Sequence, residues 1–186
     1  MHELSKMIKD DMKPALGVTE PGAIAFAVAK ARSFTKGDIK KVNVAMNSGM
    51  YKNAFTCGIP NSNEVGNIFA AALGVVAGNA DKGLESLADV TPEDNVKAQE
   101  MIDQGKITVE LSGITSRIFI EATVETEEDK AIVTIRDSHT NITKIIVNDK
   151  VELETEDEKK TEEDGGEEES HSIHKYTLQQ LYDYVT

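Results

Sequence analysis

The sequence predicts an α+β fold, with N-terminal helices packed on a mostly antiparallel sheet of about five strands. Three observations lead there. Up to Gly105 most apolar residues recur at helical spacing, and after it they alternate with polar ones. Positions 22–29 are apolar on every side, which marks a helix buried all round rather than one lying on a surface. Val42, Val44 and Met46 alternate early enough to supply one further strand to the later set.

Each element has its own signals. Leu4, Met7, Ile8 and Met12 give an opening helix, and Pro14 ends it. A second helix is expected over residues 20–34, with Thr19 as its cap and Pro21 in its first turn. Residues 41–47 read as a strand. Residues 47–63, rich in Gly, Asn, Ser and Pro, read as a long loop of the kind that often carries function. Val65, Ile68, Phe69, Ala72, Leu73 and Val76 form a helical stripe that Gly78 and Asn79 stop, and a short helix is expected over 81–88. Thr91-Pro92-Glu93-Asp94 is a strong helix start, and that helix ends at Gly105. Strands follow around Ile107, Ile118, Ala131 and Ile142, their short turns suggesting a meander. Residues 1–150 are thus expected as the α+β domain, 151–174 as an acidic flexible segment and 175–186 as a terminal amphipathic helix carrying Tyr176, Leu181 and Val185. That helix, close to the end of the sequence, needs further protein to cover its apolar stripe.

Composition narrows the function. The 186 residues carry a net charge of −13, and the run 152–169 alone holds eleven acids against two lysines. The acidity is therefore local, and the balance excludes the electrostatic footprint of a nucleic-acid binder. No apolar run approaches the length of a bilayer span, and no apolar stretch follows the N-terminal residues as in a signal peptide. One cysteine, Cys57, excludes an internal disulfide and a cysteine-only metal site. A soluble protein in a reducing, cytoplasmic setting, without membrane partners, is expected.

Four polar clusters offer chemistry. Leu16-Gly17-Val18-Thr19-Glu20-Pro21 feeds a helix N-terminus, where free amides suit an anion, although a helix cap with a glycine turn accounts for the same residues. Asn47 to Asn53 places Lys52 beside amides, suited to a carboxylate or merely solvated. Gly58-Ile59-Pro60-Asn61-Ser62-Asn63 offers backbone amides but lacks the Gly-Lys-Ser/Thr of a phosphate loop. Asp137-Ser138-His139-Thr140-Asn141 suits a hairpin turn, and its His139 is the best acid–base candidate. His171 and His174 have metal-ligand spacing but flank the acidic run, where solvated side chains are equally in place.

The first cluster, extended to Lys13-Pro14-Ala15-Leu16-Gly17-Val18-Thr19-Glu20-Pro21, resembles the Lys-Pro-Ala-Leu-Gly-Cys-Thr-Glu-Pro hallmark of the L-cysteine desulfidase family, which is grouped with the iron–sulfur L-serine dehydratase alpha chains. Met50-Tyr51-Lys52-Asn53, the loop from Pro60 to Gly66, Ala71-Ala72-Leu73-Gly74 with Gly78 to Glu85, and His139-Thr140-Asn141-Ile142 continue the resemblance in order. It implies the N-terminal half of a lyase that works without pyridoxal phosphate. Such enzymes eliminate the β-substituent of cysteine or serine, giving pyruvate and ammonia, with sulfide from cysteine. It also implies a 4Fe-4S cluster held by three cysteines, with one iron left open as a Lewis acid. Val18 occupies the position of the first of those cysteines, and the half that supplies the other two has no counterpart here. No cluster is therefore expected for this chain alone, and neither is turnover.

On this resemblance His139 is the catalytic candidate, orienting substrate or moving a proton. Thr19, Glu20, Lys52, Asn53, Thr140 and Asn141 are the substrate-binding candidates, with Lys52 facing the substrate carboxylate. The partner is an amino acid, L-cysteine or L-serine, together with a C-terminal half or separate subunit. A non-catalytic interaction or amino-acid-binding subunit is the alternative.

Overall fold

The computed structural model describes residues 2–115, 117–155 and 173–185, the side chains of Asp10, Asp11 and His174 excepted. In chain order the elements are α1 (Glu3–Asp11), α2 (Thr19–Arg32), β1 (Ile39–Asn47), α3 (Ser48–Ala54), α4 (Asn67–Ala77), a 3₁₀ turn (Ala80–Glu85), α5 (Pro92–Asp103), β2 (Ile107–Gly113), β3 (Phe119–Thr126), β4 (Lys130–Arg136), β5 (Ile142–Val147), β6 (Lys150–Glu154), a second 3₁₀ turn (Ile173–Lys175) and α6 (Leu178–Val185). They divide into two units, Pro14–Lys159 and a smaller one made of Met1–Lys13 and Lys160–Thr186.

In the larger unit the sheet has six strands in the order β2-β1-β3-β4-β5-β6, antiparallel throughout except for the parallel pair β1 and β2. This is the α+β arrangement the sequence predicts, with one strand more. The meander holds from β3 to β6, but β1 inserts between β2 and β3. Three helices, α3, α4 and α5, with their loops cross from β1 to β2, and a crossover of that length is what lets two strands pair in parallel. The sixth strand corrects the reading of the acidic run as loose from Glu152 onward. Leu153 pairs with Ile145, and the Lys144 ammonium lies 2.8 Å from the Glu154 carboxylate. Residues 156–172, His171 among them, lie outside the described residues.

The core forms where α2 meets the sheet. Ala23, Ile24, Ala25, Ala27 and Val28 are wholly buried, as are Val42, Val44 and Met46 on β1 and Ile120, Ala122 and Val124 on β3. Small residues set the helix spacing. A Cβ on Gly74 of α4 would come within 2.7 Å of the Ala25 carbonyl oxygen, and one on Gly22 within 3.0 Å of the Leu84 carbonyl oxygen. Backbones that approach this closely leave no room for a side chain.

Several local expectations need correction. The α2 cap is Val18, which makes no side-chain cap bond; the Thr19 hydroxyl turns to the Glu20 carboxylate instead. Residues 48–54, expected as loop, form α3. Met50 and Ala54 share a buried side at i, i+4 spacing, and the Tyr51 and Phe55 rings stack one turn apart at 6.2 Å. The stripe's first member, Val65, lies before α4 and is exposed, as is Ile68 within it, whereas Ala70, Ala71 and Val75 join the buried side. The short helix over 81–88 is the 3₁₀ turn Ala80–Glu85. The start of α5 is as predicted, a capping box in which Thr91 and Asp94 exchange bonds with each other's backbone amides.

In the smaller unit, Tyr176 donates to Glu3 Oε2 at 2.7 Å and Lys175 pairs with the same carboxylate group. The Ser5 and Tyr184 hydroxyls lie 2.8 Å apart. Thr177 caps α6 through Gln180, the two exchanging side-chain bonds with backbone amides. Leu178, Tyr182 and Val185 stand exposed along α6. Among the described residues no helix is long and apolar enough to cross a membrane.

Candidate functional site

Three of the four polar clusters meet at the first turn of α2. Glu20 occupies the second position of that helix, where unpaired amides favour a negative charge. α3 leaves β1 directly and brings Asn53 to it, so that the Asn53 carboxamide donates to Glu20 Oε1 at 3.0 Å across 33 residues of sequence. The Thr19 hydroxyl donates to the other oxygen, Oε2, at 3.3 Å. His139, on the turn between β4 and β5, is near enough to act on the same carboxylate through its charge.

These contacts fix the protonation state. Partial burial raises the Glu20 pKa, but it is outweighed by the backbone amide of Glu20, then Asn53, then Thr19, and last the charge of His139, which together hold the carboxyl below its ordinary range. Glu20 is therefore an ionised acceptor at neutral pH. Such a group takes an ammonium or another strong donor.

The remaining candidates sit differently. Lys52 precedes Asn53 on α3 with its side chain in solvent. The Asn141 carboxamide nitrogen donates to the Arg136 carbonyl at 3.2 Å, and its backbone amide closes the turn on Ser138, so half of its polar capacity is structural. Thr140 is half-buried in the same turn. The Gly58 to Val65 segment is closed by a bridge between those two residues; the amides of Ile59, Ser62 and Glu64 donate within it, and that of Gly66 donates to the Cys57 carbonyl. Of the third cluster's own amides, those of Ile59 and Ser62 are thereby engaged. The loop still abuts the first cluster, since a Cβ on Gly17 would meet Pro60 Cγ at 3.8 Å.

Sequence reasoning named Glu20 and Asn53 separately but not as partners, because only α3 brings them together. It gave Cys57 no contact, yet its thiol donates to the Asn53 carbonyl at 2.7 Å, one helical turn along from the residue that holds Glu20. A cluster bound by three thiolates does not fit this donor set. The sequence has one cysteine, and Val18 offers only an isopropyl group.

The fold and site define an α+β domain with a small, charged hydrogen-bonding site at a buried helix start. The chain is similar to UPF0597 proteins of Clostridium botulinum. One from strain Hall is 40% identical over 145 residues, covering 78% of this chain and 34% of the relative. A second from that strain is 37% identical over 157 residues, covering 84% of this chain and 36% of the relative. One from strain Okra is 38% identical over 151 residues, 81% of this chain and 35% of the relative. The chain thus spans about a third of the length of the curated relatives it matches. No family model and no solved structure matches it.

Proposed function

We propose that this chain is the amino-acid-gripping part of a lyase of the L-cysteine desulfidase and L-serine dehydratase kind, working in the cytoplasm and incomplete in catalysis by itself. The observation that supports the reading is convergence. The stretches containing Thr19-Glu20, Lys52-Asn53 and His139 are far apart in sequence, carry the resemblance to that family, and meet around one carboxylate.

The chemistry is consistent with an amino acid as ligand. Ionised Glu20 is a partner for the substrate ammonium, and Lys52 for the substrate carboxylate. On this reading His139 gives or takes a proton beside the bound molecule. Elimination removes the α-proton and expels the β-substituent, and the activation of that leaving group is not provided by any thiolate-bound metal this chain can assemble. The single cysteine favours, as a second reading, a subunit that binds an amino acid without turning it over.

Titration of the chain with L-serine and L-cysteine, followed by amide chemical shifts, tests the shared part of both readings. Shifts should concentrate at Glu20, Asn53 and His139, and Glu20→Gln should weaken binding about tenfold. Saturating amino acid that leaves all three amides unmoved defeats the proposal.

A further inference from the structure

Residues 61–64 and the first turns of α5 line an open cleft of about 570 Å³. That volume lies within the roughly 300–1,000 Å³ of small-molecule sites. Its walls are tied to the fold by side-chain bonds. The Asn61 carboxamide nitrogen donates to the Leu87 and Ala88 carbonyls at 2.9 and 3.0 Å. The Asn95 carboxamide nitrogen donates to the Asn61 and Thr91 carbonyls at 3.2 and 2.9 Å. Walls held in this way lose little freedom when a ligand arrives.

The same bonds decide what the cleft can recognise. They engage the amide nitrogens of Asn61 and Asn95 twice each, and Gln99, also in the lining, donates to Asp103 at 2.8 Å. A carboxamide whose hydrogens are committed has only its oxygen left to offer. Asn61 Oδ1 and Gln99 Oε1 accept no side-chain or backbone bond among the described residues. Asn95 Oδ1 is buried in the wall without a donor, so its partial negative charge is unopposed. Glu64 adds a carboxylate, and no lysine or arginine belongs to the lining. The surroundings have the same sign, since α5 carries Glu93, Asp94, Glu100 and Asp103 against Lys97 alone. Pro92 and Val96 give the cleft an apolar strip, with Val96 60% exposed.

We propose that this cleft binds a linear aliphatic polyamine. Its ammonium groups donate to Glu64 and to the side-chain oxygens of Asn61 and Gln99, and its methylene chain lies along Pro92 and Val96. An alkylammonium offers three donors and no acceptor, which is the complement of a wall whose own donors are committed. A phosphate-bearing ligand has the opposite chemistry: it brings acceptors and negative charge to a lining that already has both. No residue of the Glu20 site takes part, so the polyamine site stands apart from the lyase reading.

Spermidine is the probe, added to the full chain in roughly 0.15 M salt so that loose ion pairing is screened. Amide chemical shifts should move at residues 61–64 and 92–99 and saturate at about 1 mM. Putrescine, with one ammonium fewer, should bind more weakly. Glu64→Gln and Gln99→Lys, both at exposed positions and each checked by circular dichroism, should weaken spermidine about tenfold. The acidic run 152–169 is the competing destination for any cation. The proposal is overturned if shifts fall on that run alone, or if spermidine at about 10 mM leaves 61–64 and 92–99 unmoved. It is equally overturned if Mg²⁺ reproduces the shifts, which would make the effect diffuse counterion binding, or if both variants bind spermidine as the unaltered chain does.

Discussion

The Asn53 carboxamide donates to Glu20 Oε1 at 3.0 Å and so ties α3 to the first turn of α2. That bond joins the element that leaves β1 to the buried helix the sheet is built against. It also sets the charge of the candidate site, since Asn53 supplies one of the contacts that keep Glu20 ionised against the opposing effect of burial.

A pH dependence follows from the sign of that shift. The folded-state pKa of Glu20 lies below its ordinary value of 4.5, so its contribution to stability is fully present above 4.5 and is lost as pH falls through the lowered folded value. Glu20→Gln should lower stability in the neutral range, where the ionised carboxylate contributes in full, and flatten the acid limb of stability against pH in that window. Asn53→Ala should move the Glu20 titration upward toward the ordinary value. Carboxyl chemical shifts followed against pH check the second statement, and urea unfolding between neutral and acid pH checks the first.

The start of α5 offers an independent test of local energetics. Thr91 caps the helix through the Asp94 amide at 3.3 Å, and Asp94 Oδ2 accepts from the Thr91 amide at 3.1 Å. Thr91→Ala removes the hydroxyl side of this box and should cost about 1 kcal/mol of unfolding free energy. Thr91→Ser keeps the oxygen and should recover most of that loss. Denaturant melts of the two variants decide it, and equal midpoints for both would show that the cap does not hold the helix.

How much of this was legible in the sequence depended on the range of the interactions. The α5 capping box was legible because its determinants, Thr91, Pro92 and Asp94, are neighbours. The all-round burial of α2 was legible because an unbroken apolar stretch has no other outcome in water. Helix α3 was missed because its seven residues include Gly49 and Asn53, and its apolar signal is one turn long, Met50 to Ala54. The place of β1 between β2 and β3 was not legible, since Val42 and Ile107 alternate in the same way whichever neighbour they pair with. The candidate residues divide along the same line. Glu20, Asn53 and His139 were each found by motif, but the contact between Glu20 and Asn53 belongs to the packing of α3 and has no counterpart in local sequence.

Helix spacing in the core can be tested at glycines with opposite surroundings. A Cβ at Gly74 would lie 2.7 Å from the Ala25 carbonyl oxygen and 2.9 Å from Ala25 Cα, both backbone atoms that no rotamer change can move aside. α2 and α4 would have to separate, and overpacking of this kind costs about 1–3 kcal/mol. That cost outweighs the gain of roughly 1 kcal/mol that alanine brings over glycine inside a helix. At Gly58 a Cβ would meet nothing within 4 Å, so Gly58→Ala should be neutral or mildly stabilising. The two substitutions add the same methyl group, and their difference in urea midpoint reports the backbone contact less the helix-propensity gain at Gly74. If Gly74→Ala unfolds no earlier than Gly58→Ala, α2 and α4 are not held at the separation described.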